Sequence, residues 1–225
     1  MIIVFDLDDT LYDEFTYVKS GFKAVANHLS KNYKIETSKN IYRQFIQLLK
    51  QQGRGKVFDS FLDMHNLSKK RIVKKCLAVY RLHNPKIHLS VSGLSCLDRL
   101  KDYPKFLVTD GNKIVQTKKI KSLKIEKYFR NIIVTHNYGL KHAKPSPYCF
   151  HKILQWENAN PQELVYIGDN PKKDFVNLKK DGFKTVRVMT GQYKDVKTQL
   201  EYEADYQINS LDELSIKTLK KIMEY

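Results

Sequence analysis

Short, continuous apolar runs punctuate this chain, and most stop abruptly at acidic or turn-forming residues. Ile2-Ile3-Val4-Phe5 breaks at Asp6, and similar runs recur at Phe106-Leu107-Val108, Ile132-Ile133-Val134, Leu164-Val165-Tyr166-Ile167 and Thr185-Val186-Arg187-Val188. A weaker run lies at Tyr206-Gln207-Ile208. Continuous rather than alternating hydrophobicity suits strands of a parallel sheet that is buried on both faces. Between these runs the apolar spacing becomes helical. Residues 112–123 carry Ile114, Val115, Ile120 and Leu123, and residues 147–156 carry Phe150, Ile153 and Leu154. A third helical stretch runs from about Lys172 to Lys180, and a closing helix after the Asn209-Ser210 cap carries Leu211, Leu214, Leu219 and Ile222. Strand alternating with helix predicts an α/β fold, a Rossmann-like, doubly wound parallel sheet.

The stretch from about 13 to 88 contains no convincing strand. Its helical patterns cover about 14–32 (Phe15, Val18, Phe22, Val25, Ala26, Leu29), 38–51 (Ile41, Phe45, Leu48, Leu49), 56–64 (Val57, Phe61, Leu62) and 68–83, the last opening at Ser68 and carrying Ile72, Leu77, Val79 and Tyr80. Asn84-Pro85 ends the module. The expected organisation is therefore an α/β core made of residues 1–12 and 88–225, with an α-helical domain, 13–87, inserted after the first strand.

At 225 residues and 42% apolar composition the chain can bury a sizeable core, which excludes disorder, collagen and coiled coil. The balance of 40 Lys and Arg against 24 Asp and Glu gives +16, an attraction to anions that does not choose among them. Cys76, Cys96 and Cys149 show no CxxC spacing and read as reduced thiols of a cytoplasmic protein. The opening apolar run is too short for a signal peptide or a membrane span, so a soluble chain is expected.

The chemistry gathers where strands end. The first strand leads into Asp6-Leu7-Asp8-Asp9-Thr10, the second ends in Thr109-Asp110-Gly111-Asn112, the third is followed by Lys141-His142-Ala143-Lys144-Pro145, and the fourth ends in Gly168-Asp169 ahead of Asp174. In a doubly wound sheet the carboxyl ends of the strands line the ligand crevice. Asp6, Asp8, Asp169 and Asp174 crowded there would repel unless a cation sat among them, and an all-oxygen set with room for waters and phosphate favours Mg²⁺. Thr109 offers a hydroxyl and Lys144 a point charge for phosphate oxygens. The set reads as phosphoryl transfer to a carboxylate nucleophile.

These four motifs, in this order, resemble the haloacid dehalogenase superfamily of phosphatases, in the subclass with a helical cap inserted after the first motif. The resemblance covers nearly the whole chain. It implies that Asp6 attacks phosphorus to form an aspartyl-phosphate, while Asp8 protonates the leaving oxygen and then deprotonates the hydrolytic water. Mg²⁺ would be held by Asp6, the Asp8 main-chain carbonyl and Asp169, with Asp174 binding it directly or through water. Thr109 and Lys144 would hold the phosphoryl group, with Asp110 and Gly111 beside it. Members that break carbon–halogen bonds lack the second acid, so Asp8 favours phosphate. Asp110 stands where Asn is frequent, and a carboxylate beside phosphate is unhelpful unless it turns away to bond backbone.

Other residues carry weaker signals. Lys141 competes with Lys144 for the phosphate. His136, His142 and His151 lack metal-ligand spacing. Trp156 reads as core. The run Lys69-Lys70-Arg71-Ile72-Val73-Lys74-Lys75 reads as a solvated helix face, and no aromatic-basic interleaving supports nucleic-acid binding. Gly53-Arg54-Gly55-Lys56, in an inter-helix loop, makes Arg54 and Lys56 candidate substrate contacts. The expected activity is Mg²⁺-dependent hydrolysis of a small phosphomonoester, a nucleotide or sugar phosphate, by a monomer or homodimer that binds neither membrane nor nucleic acid. A phosphomutase is the nearest enzymatic alternative. A receiver domain would be about half this length with its acceptor Asp on a later strand, and a non-enzymatic phosphate- or nucleic-acid-binding protein is the alternative without chemistry.

Overall fold

The computed structural model describes residues 1–67 and 69–224. Ser68, the expected start of the fourth inserted helix, lies outside the described residues. In chain order the principal elements are β1 (Ile2–Phe5), α1 (Glu14–Tyr33), α2 (Ser38–Gln52), α3 (Val57–Met64), α4 (Lys70–Leu82), α5 (Val91–Arg99), β2 (Lys105–Thr109), α6 (Lys113–Leu123), β3 (Asn131–Val134), α7 (Tyr148–Glu157), β4 (Leu164–Gly168), α8 (Val176–Lys180), β5 (Lys184–Val188), β6 (Tyr206–Ile208) and α9 (Ile216–Glu224). They form two compact units, one of Met1–Glu14 with Ile87 onward and one of Phe15–Lys86.

The first unit is built on one six-stranded sheet, ordered β3-β2-β1-β4-β5-β6, in which every neighbouring pair is parallel. β1, β2 and β4 are buried along their whole length, which is why β1, β4 and the Phe106-Leu107-Val108 middle of β2 are continuously apolar. Connections diverge to opposite sides between β1 and β4, the switch point at which ligands bind beyond the strand ends. Phe5 pairs with Leu107 on one side and Ile167 on the other, so Asp6 leaves the sheet level with the ends of β2 and β4. Ile2, Val4, Phe106, Val108, Phe150, Ile153, Tyr166 and Phe183 belong to one continuous core cluster of this unit.

Within the helical unit, α1 buries Val18, Phe22, Val25, Ala26 and Leu29 on one stripe. Phe22 and Phe45 lie 5.4 Å apart, and Phe45 and Phe61 5.0 Å apart, forming an aromatic core with its own cluster of buried side chains. Glu36, Asp59 and Asp63 are the only acids in this stretch of sequence, so most of the chain's excess positive charge resides in this unit.

Three segments differ from the expected pattern. The closing helix is divided: a 3-10 turn at Leu211–Glu213, capped by Ser210, is separated from α9 by Leu214, and the Ser215 hydroxyl accepts from Thr218 N at 3.0 Å to start α9 afresh. The helix expected over 172–180 begins only at Val176, because residues 170–174 make a turn in which Asp174 N bonds Asn170 O at 3.0 Å. α5 lies outside the elements the apolar pattern predicts, since its Ser- and Gly-containing sequence has weak helix propensity; the Ser90 side chain caps it by accepting from Gly93 N at 2.9 Å. Trp156 is 45% exposed rather than core. All three cysteines are free and buried.

Candidate active site

Five loops and helices deliver polar side chains to the carboxyl edge of β1, β2 and β4. At the centre is the Lys144 ammonium, almost wholly buried. It donates to Asp6 Oδ1 at 2.6 Å and the Tyr166 hydroxyl at 2.7 Å, and pairs with Asp174 Oδ1 at 2.8 Å. Those contacts use all three of its N–H groups. Lys141, its rival in sequence, is exposed in the preceding 3-10 turn. Tyr166, from β4, donates to Asp174 Oδ1 at 3.2 Å, and Asp174 Oδ2 accepts from Asn170 N at 2.9 Å. A Cβ at Gly168 would lie 2.6 Å from Asp174 Oδ2, so only glycine lets this carboxylate fold back against the strand end.

Charge is not balanced among the acids. Burial pushes the Asp6 carboxyl up to about 7, with Lys144 opposing and Asp174 adding to the rise. Burial also pushes Asp169 up to about 9, helped by the charges of Asp6 and Asp174. Both are buried oxygen donors that would gain from a further cation. For Asp8 burial acts in the same direction, but the Lys119 charge and hydrogen bonds from Lys119, Tyr12 and Gln116 outweigh it and hold the carboxyl below its ordinary value.

Thr109, at the end of β2, accepts from Gln116 Nε2 at 2.6 Å, which leaves its own hydroxyl proton for another acceptor. Asp110 turns away from the crevice. Its Oδ1 accepts from the Thr135 hydroxyl at 2.6 Å and from Lys144 N at 3.1 Å, while Oδ2 pairs with Lys173 at 3.3 Å. Burial would raise this carboxyl, but Lys144, Lys173 and the hydrogen bonds hold it low. Asp110 thus ties together the β2, β3 and Lys144 loops. Asp110→Ala is expected to cost about 1–3 kcal/mol by stranding these donors, and Asp110→Asn, which keeps an acceptor, less; urea denaturation of the two variants measures the difference. Gly111 has φ +132°, and a Cβ there would meet the Gln116 side chain at 3.4 Å.

Asp6, Asp110, Lys144 and Asp174 therefore meet in direct or one-partner contact, with Thr109 and Asp8 joined to each other through Gln116. Among the described residues, no group of three or more His, Cys, Asp or Glu side chains is gathered in a metal-ligand arrangement, and Lys144 stands between Asp6 and Asp174. Arg54 and Lys56 lie in the other compact unit, exposed in the α2–α3 connection. His142 stacks on Tyr148 at 3.8 Å and His151 pairs with Asp181 at 2.8 Å. Tyr12, Gln116, Lys119, Tyr166 and Lys173 were not among the expected site residues. For Gln116 and Lys119 the available signal was two polar residues three apart, sharing a helix face with Ile120 and Leu123.

A parallel sheet of this order with an acid pair after β1 and a lysine-bridged acid cluster after β4 defines a hydrolase of the haloacid dehalogenase-like class. The chain belongs to that family, whose model, haloacid dehalogenase-like hydrolase, matches residues 3–188. It is 32% identical over 230 residues to glyceraldehyde 3-phosphate phosphatase of Methanocaldococcus jannaschii, covering 97% of this chain and 98% of that one. Identity to the protein of the same name from Pyrococcus furiosus is 30% over 220 residues, covering 95% and 90%. Among solved structures, the magnesium-bound HAD-hydrolase YfnB of Bacillus subtilis shares the fold, with a TM-score of 0.67 at 16% identity over 95% of this chain and 96% of that one. The chain is a phosphatase of this family, and its all-helical unit after the first motif agrees with the capped subclass. Among the described residues no helix is long and apolar enough to cross a membrane.

Proposed function

We propose that this phosphatase hydrolyses a small phosphomonoester of the sugar-phosphate class through an aspartyl-phosphate on Asp6, with Mg²⁺ as cofactor. The names of its relatives make glyceraldehyde 3-phosphate the first substrate to test; nucleotides are the second class. The observation that carries the reading is the Asp6 carboxylate, buried at the sheet's switch point and 2.6 Å from the Lys144 ammonium.

Asp6 Oδ attacks phosphorus, the bond from phosphorus to the leaving oxygen breaks, and Asp8, ionised until substrate binds but raised toward protonation by the negative charge of the bound phosphate, passes a proton to that oxygen. Water then attacks the phosphoryl group, gives a proton to Asp8, and the Asp6–phosphorus bond breaks to restore the carboxylate and release phosphate. Lys144, saturated by Asp6, Asp174 and Tyr166, acts here by cancelling charge next to the nucleophile. The Thr109 hydroxyl supplies the free donor for a phosphoryl oxygen. The buried oxygens of Asp6 and Asp169 fit a hard cation, and Asp6, the Asp8 carbonyl, Asp169 and Asp174 would hold Mg²⁺, which supplies further charge neutralisation for phosphate when bound. We keep Arg54 and Lys56, in their glycine-flanked loop, as candidate substrate contacts. Three free, buried thiols fit a reducing compartment, and we place the protein in the cytoplasm.

A phosphate-release panel tests this: glyceraldehyde 3-phosphate, other sugar phosphates, nucleotides and pyrophosphate, each with Mg²⁺ and with chelator. The expected result is Mg²⁺-dependent release concentrated in the sugar phosphates. Release undiminished by thorough chelation would remove the cofactor from the account, and conversion without net phosphate release would show a mutase.

A further inference from the structure

The geometry points to Lys119, acting with Gln116, as a positioning residue that fixes Asp8 with one oxygen presented for proton transfer. This rests on the role proposed for Asp8. Lys119 and Gln116 are three residues apart on α6, only 3% and 1% exposed, on the face that also buries Ile120 and Leu123. An amide and an ammonium in such a stripe are costly to bury unless something requires them. Their partner is Asp8. Lys119 Nζ donates to Asp8 Oδ1 at 2.7 Å, and the Tyr12 hydroxyl donates to the same oxygen at 2.5 Å. Gln116 Nε2 lies 2.9 Å from Asp8 Oδ2 and shares its two N–H groups among that oxygen, Thr109 Oγ1 and the Asp110 carbonyl at 2.9 Å.

A carboxylate offers about four lone-pair positions. Two donors on Oδ1 and one on Oδ2 leave a single open position, on Oδ2. Because the Gln116 amide also reaches Thr109 Oγ1 at 2.6 Å, this oxygen is joined by one donor to the hydroxyl assigned to the phosphoryl group. Oδ2 is therefore the oxygen that carries the proton to the leaving group and takes it back from water. Lys119 pairs in addition with Glu14 Oε1 at 3.3 Å, so its ammonium separates two carboxylates as well as orienting one.

The test compares the first turnover, by rapid quench, on glyceraldehyde 3-phosphate, whose alkoxide needs a proton to leave, and on p-nitrophenyl phosphate, whose phenolate does not. Lys119→Met is expected to slow the first by about 10²-fold and the second by less than about 10-fold, with KM within about two-fold, because positioned acid catalysis is worth about 10²–10⁴. Asp8→Asn should show the same selectivity, and the double variant should be no slower than Asp8→Asn alone. Equal losses on both substrates, or losses that multiply in the double variant, would reduce Lys119 to a structural residue and overturn the inference. If Asp8→Asn itself kept wild-type rates, the role of Asp8 would fall and the positioning role with it, a result distinct from a selective Asp8→Asn beside an unselective Lys119→Met. Should Lys119→Met fail to fold by circular dichroism, Tyr12→Phe, which removes the other donor to the same Asp8 oxygen, takes its place with the same expected selectivity.

Discussion

Asp6→Asn is expected to lower kcat by about 10⁴-fold or more and yet leave a folded protein, because it removes the nucleophile without removing a packing element. The amide is isosteric and keeps an acceptor for Lys144, which retains Asp174 and Tyr166. Its effect on stability should have the opposite sign to its effect on activity. The wild-type carboxyl is raised by burial from 3.8 to about 7 in the fold. The native state thus holds a proton that the unfolded chain has already released, so this group's contribution is full below about pH 4 and is lost as pH rises through about 7. An asparagine has no such loss. In chelator, the two proteins should melt alike near pH 4, and the variant should melt several degrees higher at pH 8, since 1 kcal/mol moves the midpoint of a domain this size by about 2–4 °C. Asp169, raised to about 9, should make the metal-free stability of both proteins continue to fall above pH 8. Thermal melts over pH 4–9 check both statements, and a variant less stable than wild type at pH 8 would show that Lys144 depends on the Asp6 charge.

Lys144→Met carries the second large effect. Methionine matches the length of the stem but withdraws the one ammonium shared by Asp6, Asp174 and Tyr166. Breaking a buried ion pair by removing one partner costs about 3–5 kcal/mol, because the remaining charge stays desolvated and unmatched. The melting midpoint should therefore fall by roughly 6–20 °C. The loss should be greater at pH 8 than at pH 5.5, where protonation of Asp6 relieves it. Activity should fall by at least about 10²-fold, from loss of the charge beside the nucleophile. Tyr166→Phe, which removes only a neutral hydroxyl, should cost about 1 kcal/mol by comparison. Comparable destabilisation by the two substitutions would argue against Lys144 as the centre of the cluster.

Much of this architecture is legible in the sequence for a physical reason. A parallel strand covered on both faces must be apolar at every position, so Ile2–Phe5 and Leu164–Gly168 announce themselves without any periodicity. The residues that follow are then polar because the chain has reached the ligand edge, and Asp6, Thr109 and Asp169 can be located by that change alone. Supporting side chains leave no such mark. Ile114 and Val115 suggest an apolar face for α6, yet Ile114 is 46% exposed while Gln116 and Lys119 point inward, a choice dictated by Asp8 more than a hundred residues earlier. Tyr166 reads as an ordinary strand residue, and its hydroxyl acquires meaning only when Lys144 and Asp174 arrive from other loops. The late start of α8 has the same origin: Asn170 to Asp174 are helix-compatible in sequence but are held in a turn that bends Asp174 back to the strand end. Local pattern reports burial; it does not report which buried polar groups find one another across the fold.

In the proposed mechanism the phosphoryl group rests on Asp6 between two chemical steps. This is tested most directly by quenching the enzyme in acid during turnover of glyceraldehyde 3-phosphate and weighing its peptides by mass spectrometry. One added phosphoryl group is expected on the peptide that contains Asp6, absent without substrate and absent in Asp6→Asn. Phosphoryl on a different residue, or continued turnover by Asp6→Asn at the wild-type rate, would contradict it.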